Sequence, residues 1–240
     1  MRAHCVRCKP GVLETFGLRG GIAKLVHENP EACVSLRPGH IEWRFVDGDI
    51  CFKRRELQHH LIELVRNFHN LMTQHGVNHW VDSGTLLGAV RHEGIIPYDQ
   101  DTDFGIDEAG YVYLRDHKID VPAPYVLFVW ESAVHDNGGR SEALPVRFVN
   151  TATGLYTDAF VFQSAEDSDG RALLGPVQSD CFGSCVHCPI NEVGEGLFQI
   201  PRDWIFPVNM CPFEDFVVPC PREPVKYLTH MYGDDYLRPD

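Results

Sequence analysis

Three aspartates at alternate positions, Asp99, Asp101 and Asp103, stand in a stretch that enters through Ile95, Ile96 and Pro97 and leaves through Phe104 and Ile106. In an extended chain, side chains two apart point to the same face, so this spacing presents a row of carboxylates on one side. The apolar flanks have the composition of a largely buried strand. Crowded carboxylates in such a place repel one another unless a cation neutralises them, and hard oxygen ligands suit Mg2+, Mn2+ or Ca2+. The chain must therefore fold so that a strand core and a cation site meet at these residues. A calcium-binding loop also begins with alternate aspartates, but it needs Gly at the sixth position and Glu at the twelfth, where this sequence has Phe104 and Gly110. An acidic tract in a chain of net charge −13 is ordinarily a solvated loop, and the apolar flanks set this one apart.

The residues upstream read as ordered elements leading to that strand. Leu57, Leu61, Leu64, Val65, Phe68, Leu71 and Met72 recur at helical spacing between Arg55 and His75, among polar residues such as Glu56, Gln58, Glu63 and Arg66. The pattern predicts an amphipathic helix closed by Gly76 in a left-handed cap, then a strand over Val77 to Asp82. A Gly84-Thr85 turn and a short helix follow. Glycine lets the backbone approach a phosphate closely, and amides that open a helix favour an anion, so Gly84 and Thr85 are candidate substrate-binding residues. Arg91 and His92 add positive charge beside them, a surface ion pair with Glu93 being the plainer role for Arg91. Downstream, Pro145 to Phe162 reads as a hairpin turning at Asn150 to Gly154, whose second arm sets Asp158 between Tyr156 and Phe160. Pro224 to Met231 reads as a helix closed by Gly233.

From Trp80 to Ile106 the sequence resembles, almost without interruption, the signature of the LicD, fukutin and fukutin-related family. The resemblance is carried by Gly84-Thr85-Leu86-Leu87-Gly88-Ala89-Val90-Arg91-His92, Gly94, Ile96-Pro97-Tyr98-Asp99, and Asp101 with Asp103. It implies an α+β fold with a nucleotidyltransferase (polymerase-beta-like) palm, a mixed sheet flanked by helices. It also implies metal-dependent transfer of a phosphorylated small alcohol, such as ribitol phosphate or phosphocholine, from a CDP-linked donor to a glycan or glycoprotein hydroxyl, with CMP released. In that reading Asp101 and Asp103 bind Mg2+ or Mn2+, and Asp158 takes the role of the family's third acidic residue, as metal ligand or proton acceptor. Asp99 either joins the substrate site or orients the turn. The family commonly has Trp where this chain has Tyr98, and often another polar or acidic residue where it has Gln100; neither change removes a ligand.

With 240 residues and 44% hydrophobic content, the chain suits one main domain over 53–240 with an N-terminal extension over 1–52 packed on it. In the extension, Trp43, Phe45 and Val46 with Ile50 and Phe52 suggest a hairpin around Asp47-Gly48, and Arg19-Gly20-Gly21 reads as a turn. Asp plus Glu outnumber Lys plus Arg by 34 to 21, with no basic run interleaved with aromatics, which argues against a nucleic-acid substrate and so against the polymerases that share the palm. No stretch has the ~18 apolar residues of a membrane span, and Met1 to Pro10 lacks a signal's apolar core. The family suggests a Golgi or ER lumen, the bare sequence equally a cytoplasmic protein. Nine cysteines include Cys5 with Cys8, and Cys181, Cys185 and Cys188 around His187. Either two or three of the latter hold a structural zinc with a distant residue such as Cys211 or Cys220, or the cysteines are disulfides or plain thiols. Two other functions stay open: a nucleotidyltransferase acting on a small acceptor, and a non-catalytic glycan-binding relative.

Overall fold

The computed structural model describes residues 32–37, 39–46, 50–177, 182, 185–190 and 197–238. The readings placed on Cys5, Cys8, Arg19 to Gly21, Asp47-Gly48 and Cys181 lie outside those residues. In chain order the strands and helices are β1 (Cys33–Val34), β2 (Phe52–Lys53), α1 (Arg54–Gln74), β3 (His79–Val81), α2 (Ser83–His92), β4 (Thr102–Asp107), α3 (Glu108–Asp116), β5 (Tyr125–Val129), β6 (Val146–Asn150), β7 (Tyr156–Glu166), β8 (Ala172–Pro176), β9 (Ile200–Pro201), α4 (Arg202–Ile205), β10 (Asn209–Phe213), β11 (Phe216–Cys220) and α5 (Pro224–Tyr232).

Helix α1 forms where the apolar spacing placed it, and all seven of its predicted apolar residues are buried. Each such side chain contributes about 1.5–3 kcal/mol through area removed from water. Gly76 ends the helix with φ +64°, a left-handed conformation that suits glycine. Phe68 of this helix packs its ring 4.7 Å from Phe104 and 5.8 Å from Phe148. Phe104 is on β4 next to Asp103, and neighbouring residues on a strand face opposite ways. Burial of α1 against one face of the sheet therefore turns Asp103 to the other.

The sheet is mixed, with seven strands; five run in the order β3-β4-β7-β6-β5, and β8 and β9 extend it from β7. Strands β4 and β7 are parallel, and the other pairings are antiparallel. Strand β7 is long enough to serve several partners, holding β4 along Thr157–Phe162, β6 along Tyr156–Ala159 and β8 along Phe162–Glu166. On the face away from α1, Trp80 lies against Phe162 at 5.0 Å, and Phe198 links Phe182 at 4.7 Å to Tyr227 of α5 at 5.4 Å. This is a mixed α+β architecture, a central mixed sheet flanked by helices, as the sequence implied.

Before β2 the structure departs from expectation. Trp43–Phe45 is a 3-10 turn rather than a hairpin arm, and Phe52 pairs with Val34 instead. The β-branched and aromatic residues there suggested a strand, but the backbone from Gly39 to Glu42 is bound to the loop and strand at Gly154–Tyr156: Tyr156 donates its hydroxyl to the Gly39 carbonyl, and the Glu42 amide donates to the Gly154 carbonyl at 2.8 Å. Cysteines pair as Cys33–Cys51, Cys185–Cys188 and Cys211–Cys220. Cys211 and Cys220 thus close the β10–β11 hairpin on itself, and neither is the distant partner of the 181–188 cluster. Among the described residues no helix is long and apolar enough to cross a membrane.

Candidate active site

The site grows from register. Asp103 on β4 is the register partner of Asp158 on parallel β7, and Asp158 is the partner of Arg147 on β6. On the other side, the amide of Asp82, just past β3, donates to the carbonyl of Asp103 at 3.0 Å. Partners in register share a face, so Asp82, Asp103, Asp158 and Arg147 form one row across four neighbouring strands. All four are buried.

Asp99 and Asp101 join from the irregular lead-in to β4, which starts only at Thr102. The predicted extended run over all three aspartates is thus partly a turn: the Asp99 amide donates to the Ile96 carbonyl at 2.9 Å, and the Gln100 amide to Asp99 Oδ1 at 3.0 Å. Asp99 and Asp101 nevertheless meet. Burial first, then the charge of Asp101 and a hydrogen bond with its side chain, push the Asp99 carboxyl well above the usual carboxylate range, with Asp103 adding to the effect. Carboxylates crowded in this way are eased either by a proton or by a hard cation.

Helix α2 is joined to this row at its first turn. Ser83 takes a left-handed φ of +49°, which lets the chain turn sharply from β3, and Asp82 Oδ1 accepts the Ser83 amide at 2.7 Å. Gly84 and Thr85 lie inside the first turn rather than ahead of it. A Cβ on Gly84 would stand 3.2 Å from Asp99 Oδ2, so the absence of a side chain leaves room beside the aspartates. The buried hydroxyl of Thr85 accepts the amide of Asp103 at 2.8 Å and so fixes the strand that carries it. Arg91 donates to the Tyr98 hydroxyl at 3.2 Å and to the Tyr236 carbonyl at 3.4 Å, bracing the lead-in. His92 is exposed and lines an open surface hollow with His59, Glu63, Arg66 and Glu214, none of them a member of the carboxylate row.

Asp158 is wholly buried and holds Arg147 in a bidentate pair, Nε to Oδ1 at 2.7 Å and a second nitrogen to Oδ2 at 3.0 Å. The Arg147 guanidinium lies 3.5 Å over the Tyr156 ring and 3.4 Å from Glu42. Arg140 stands 3.8 Å from Asp158, and its Nε is buried with no partner among the described residues.

Several contributors escaped the sequence reading. His40 places Nδ1 3.2 Å from Asp101 Oδ2. Asp82 accepts the Tyr227 hydroxyl at 2.6 Å, and its Oδ2 is buried with no partner among the described residues. Tyr232 lies close enough to the aspartates that burial and then the charges of Asp82, Asp103, Asp99 and Asp101 hold its hydroxyl well above the ordinary tyrosine value. Arg147 is another, and it had a signal: a lone charge between Val146 and Phe148, the pattern that singled out Asp158.

A central mixed sheet with a buried carboxylate row, capped by two tyrosines of a C-terminal helix, defines an α+β domain built around an acidic site. Residues 76–223 match the LicD/FKTN/FKRP nucleotidyltransferase domain. The chain belongs to the LicD/FKTN/FKRP family, whose members include transferases. It is 46% identical over 70 residues to an uncharacterized protein of Rickettsia typhi, covering 27% of this chain and 23% of that one. To the human ribitol 5-phosphate transferase FKRP it is 39% identical over 176 residues, 72% of this chain and 31% of the relative. To the lipopolysaccharide cholinephosphotransferase LicD of Haemophilus influenzae it is 39% identical over 49 residues, 20% of this chain and 18% of the relative. Each match spans less than a third of the relative's length.

Proposed function

We propose that this domain has a nucleotidyltransferase-type palm and transfers a phosphorylated small alcohol, of the ribitol phosphate or phosphocholine kind, from a CDP-linked donor to a glycan hydroxyl. The observation that carries the proposal is the pairing of Asp103 with Asp158 on adjacent parallel strands, with Asp101 and the buried Asp99 beside them. The activities of FKRP, a ribitol 5-phosphate transferase, and LicD, a cholinephosphotransferase, supply the class of transferred group.

In this reading Asp101 and Asp103 hold Mg2+ or Mn2+, with Asp158, the register partner of Asp103, completing the set. Such an ion, when bound, neutralises the donor's diphosphate and the charge that builds on the leaving CMP oxygen. The chain's own groups do the rest. Gly84, which has no side chain to crowd Asp99, lets the first turn of α2 lie close to the aspartates, and the guanidiniums of Arg147 and Arg140 set positive charge at the other end of the row. Thr85 and Arg91 keep β4 and its lead-in in position. The acceptor hydroxyl attacks the phosphorus distal to cytidine, the bond from that phosphorus to the CMP oxygen breaks, and the hydroxyl proton passes to a carboxylate of the cluster. The bidentate hold of Arg147 on Asp158 favours a ligand role for it over that of proton acceptor.

Calorimetric titration of CDP against ADP, GDP and UDP, with Mg2+ and then with chelator, tests this on the wild type and on Asp101→Asn. Metal-dependent preference for CDP, lost in the variant, is the expected result. Absence of nucleotide binding would overturn it, and release of pyrophosphate from a nucleoside triphosphate would replace it with a nucleotide-transferring activity.

A further inference from the structure

Away from the carboxylates, a second group of ligating atoms comes together from two parts of the chain. Cys185, Cys188 and His230 bring two sulfurs and an imidazole nitrogen within 4.8 Å of one another. The cysteines lie in the segment 185–190 and the histidine near the end of α5. Backbone pairing sets the approach, since the Val186 amide donates to the Met231 carbonyl at 3.0 Å and the His187 amide to the His230 carbonyl at 3.1 Å. The His230 ring is held between the edges of Phe198, at 5.7 Å, and Trp204, at 5.9 Å. Its Nε2 faces Cys188 Sγ at 3.4 Å.

We propose that Cys185, Cys188 and His230 form a zinc site that alternates with the Cys185–Cys188 disulfide. Two soft thiolates and an imidazole select zinc over the hard ions suited to the carboxylate row. The Cys-x-x-Cys spacing is that of a zinc knuckle, and a third ligand from a separate helix removes the strain of drawing every ligand from one loop. Zn–S of 2.3 Å and Zn–N near 2.05 Å give a tetrahedral S···N edge of about 3.6 Å, close to the observed 3.4 Å separation. The two sulfurs move apart once their bond opens, to an edge of about 3.8 Å on the same geometry. The fourth position is left to water.

The exchange balances as follows. Two thiol groups of a reductant, such as a small dithiol, give two electrons and two protons to the disulfide, leaving two cysteine thiols and an oxidised reductant. Zinc binding then releases those two protons as the thiols become thiolates. The site lies two residues from Tyr232 along α5, so the zinc state, which alone bonds His230, would tie this helix to the 185–190 segment beside the carboxylates, whereas the disulfide closes only the segment on itself.

The test uses the full chain, purified with a dithiol reductant and dialysed against Zn2+, with bound metal read by atomic emission and Co2+ substitution read by absorption. The reduced wild type is expected to hold zinc and to give intense tetrahedral cobalt bands with thiolate charge transfer, and the oxidised protein to lose both at this site. His230→Ala, folded by far-UV circular dichroism, should bind zinc more weakly by over about a hundredfold, beyond the 10–100-fold typical of losing an outer-shell partner. His230→Cys should restore binding with a cobalt spectrum shifted toward three thiolates. Zinc uptake unchanged by His230→Ala, or no uptake by the reduced wild type, would overturn the proposal.

Discussion

Tyr227 donates a 2.6 Å hydrogen bond to Asp82, and both side chains are wholly buried. The bond joins the C-terminal helix to the residue that caps α2, at the edge of the acidic row. Burial raises the Asp82 pKa to about 6, although Tyr227 and the Ser83 amide pull it down.

The sign of the resulting pH dependence follows from linkage. The unfolded carboxyl ionises near 3.8 and the folded one near 6, so the folded state holds the extra proton between them. Stability from this group is present below the lower value and lost as pH rises through the upper one. Asp82→Asn keeps an oxygen acceptor for Tyr227 and Ser83 and removes the charge. It should raise stability at pH 8 by about 1–3 kcal/mol and not at pH 4. Urea unfolding at the two pH values checks this, and equal destabilisation at both refutes it.

His79 works in the opposite sense. Burial lowers its pKa to about 4, with Nδ1 2.8 Å from the Val77 carbonyl and Nε2 2.8 Å from His69. A base with a depressed folded value stabilises above its unfolded value near 6.5, and that contribution fades as pH falls toward 4. The full swing is about 3 kcal/mol. Replacing His79 by Phe should flatten the pH dependence of the melting temperature between those values; an unchanged slope would count against the assignment.

Arg147 and Asp158 should be strongly coupled. Arg147→Met removes the bidentate partner of a buried carboxylate, which typically costs about 3–5 kcal/mol. Adding Asp158→Asn should recover more than half of the loss. A double-mutant cycle by urea denaturation measures the coupling, and additive effects would show that the pair is not a unit.

Two glycines give contrasting outcomes. A Cβ on Gly105 would fall 2.2 Å from the Trp80 ring, and one on Gly88 would fall 2.5 Å from the Gly94 carbonyl. Both alanine variants should lose about 1–3 kcal/mol by overpacking. Only Gly105→Ala should be partly rescued by Trp80→Leu, because a side chain can be shortened and a backbone carbonyl cannot. Thermal melts of the single and double variants check this.

What the sequence disclosed and what it withheld divide along a physical line. Helix α1, the turn at Gly76 and the β6–β7 hairpin rest on short-range periodicity, and all were legible. So was the clustering of Asp99, Asp101 and Asp103, because two-residue spacing and the family signature sit in one stretch. His40 with Asp101 and Tyr227 with Asp82 depend on where distant segments dock, which no local pattern records. Arg147 was a signal passed over. The Trp43–Phe45 turn misled because its aromatic, β-prone residues serve docking rather than pairing.

The row from Asp82 to Arg147 has a consequence for how the chain avoids misfolding. Its members alternate with Phe104, Ala159 and Val146, which face the α1 side. A slip of one residue in β7 would turn Asp158 against Leu and Phe side chains of that helix and swing an apolar neighbour into the acidic row. The slipped sheet would bury charge without its guanidinium and leave Arg147 facing hydrocarbon, so it has no stable resting point. The same residues that make the site thereby proofread the alignment of the strands, and a single-residue insertion in β7 should be far less tolerated than one in the loop before β8.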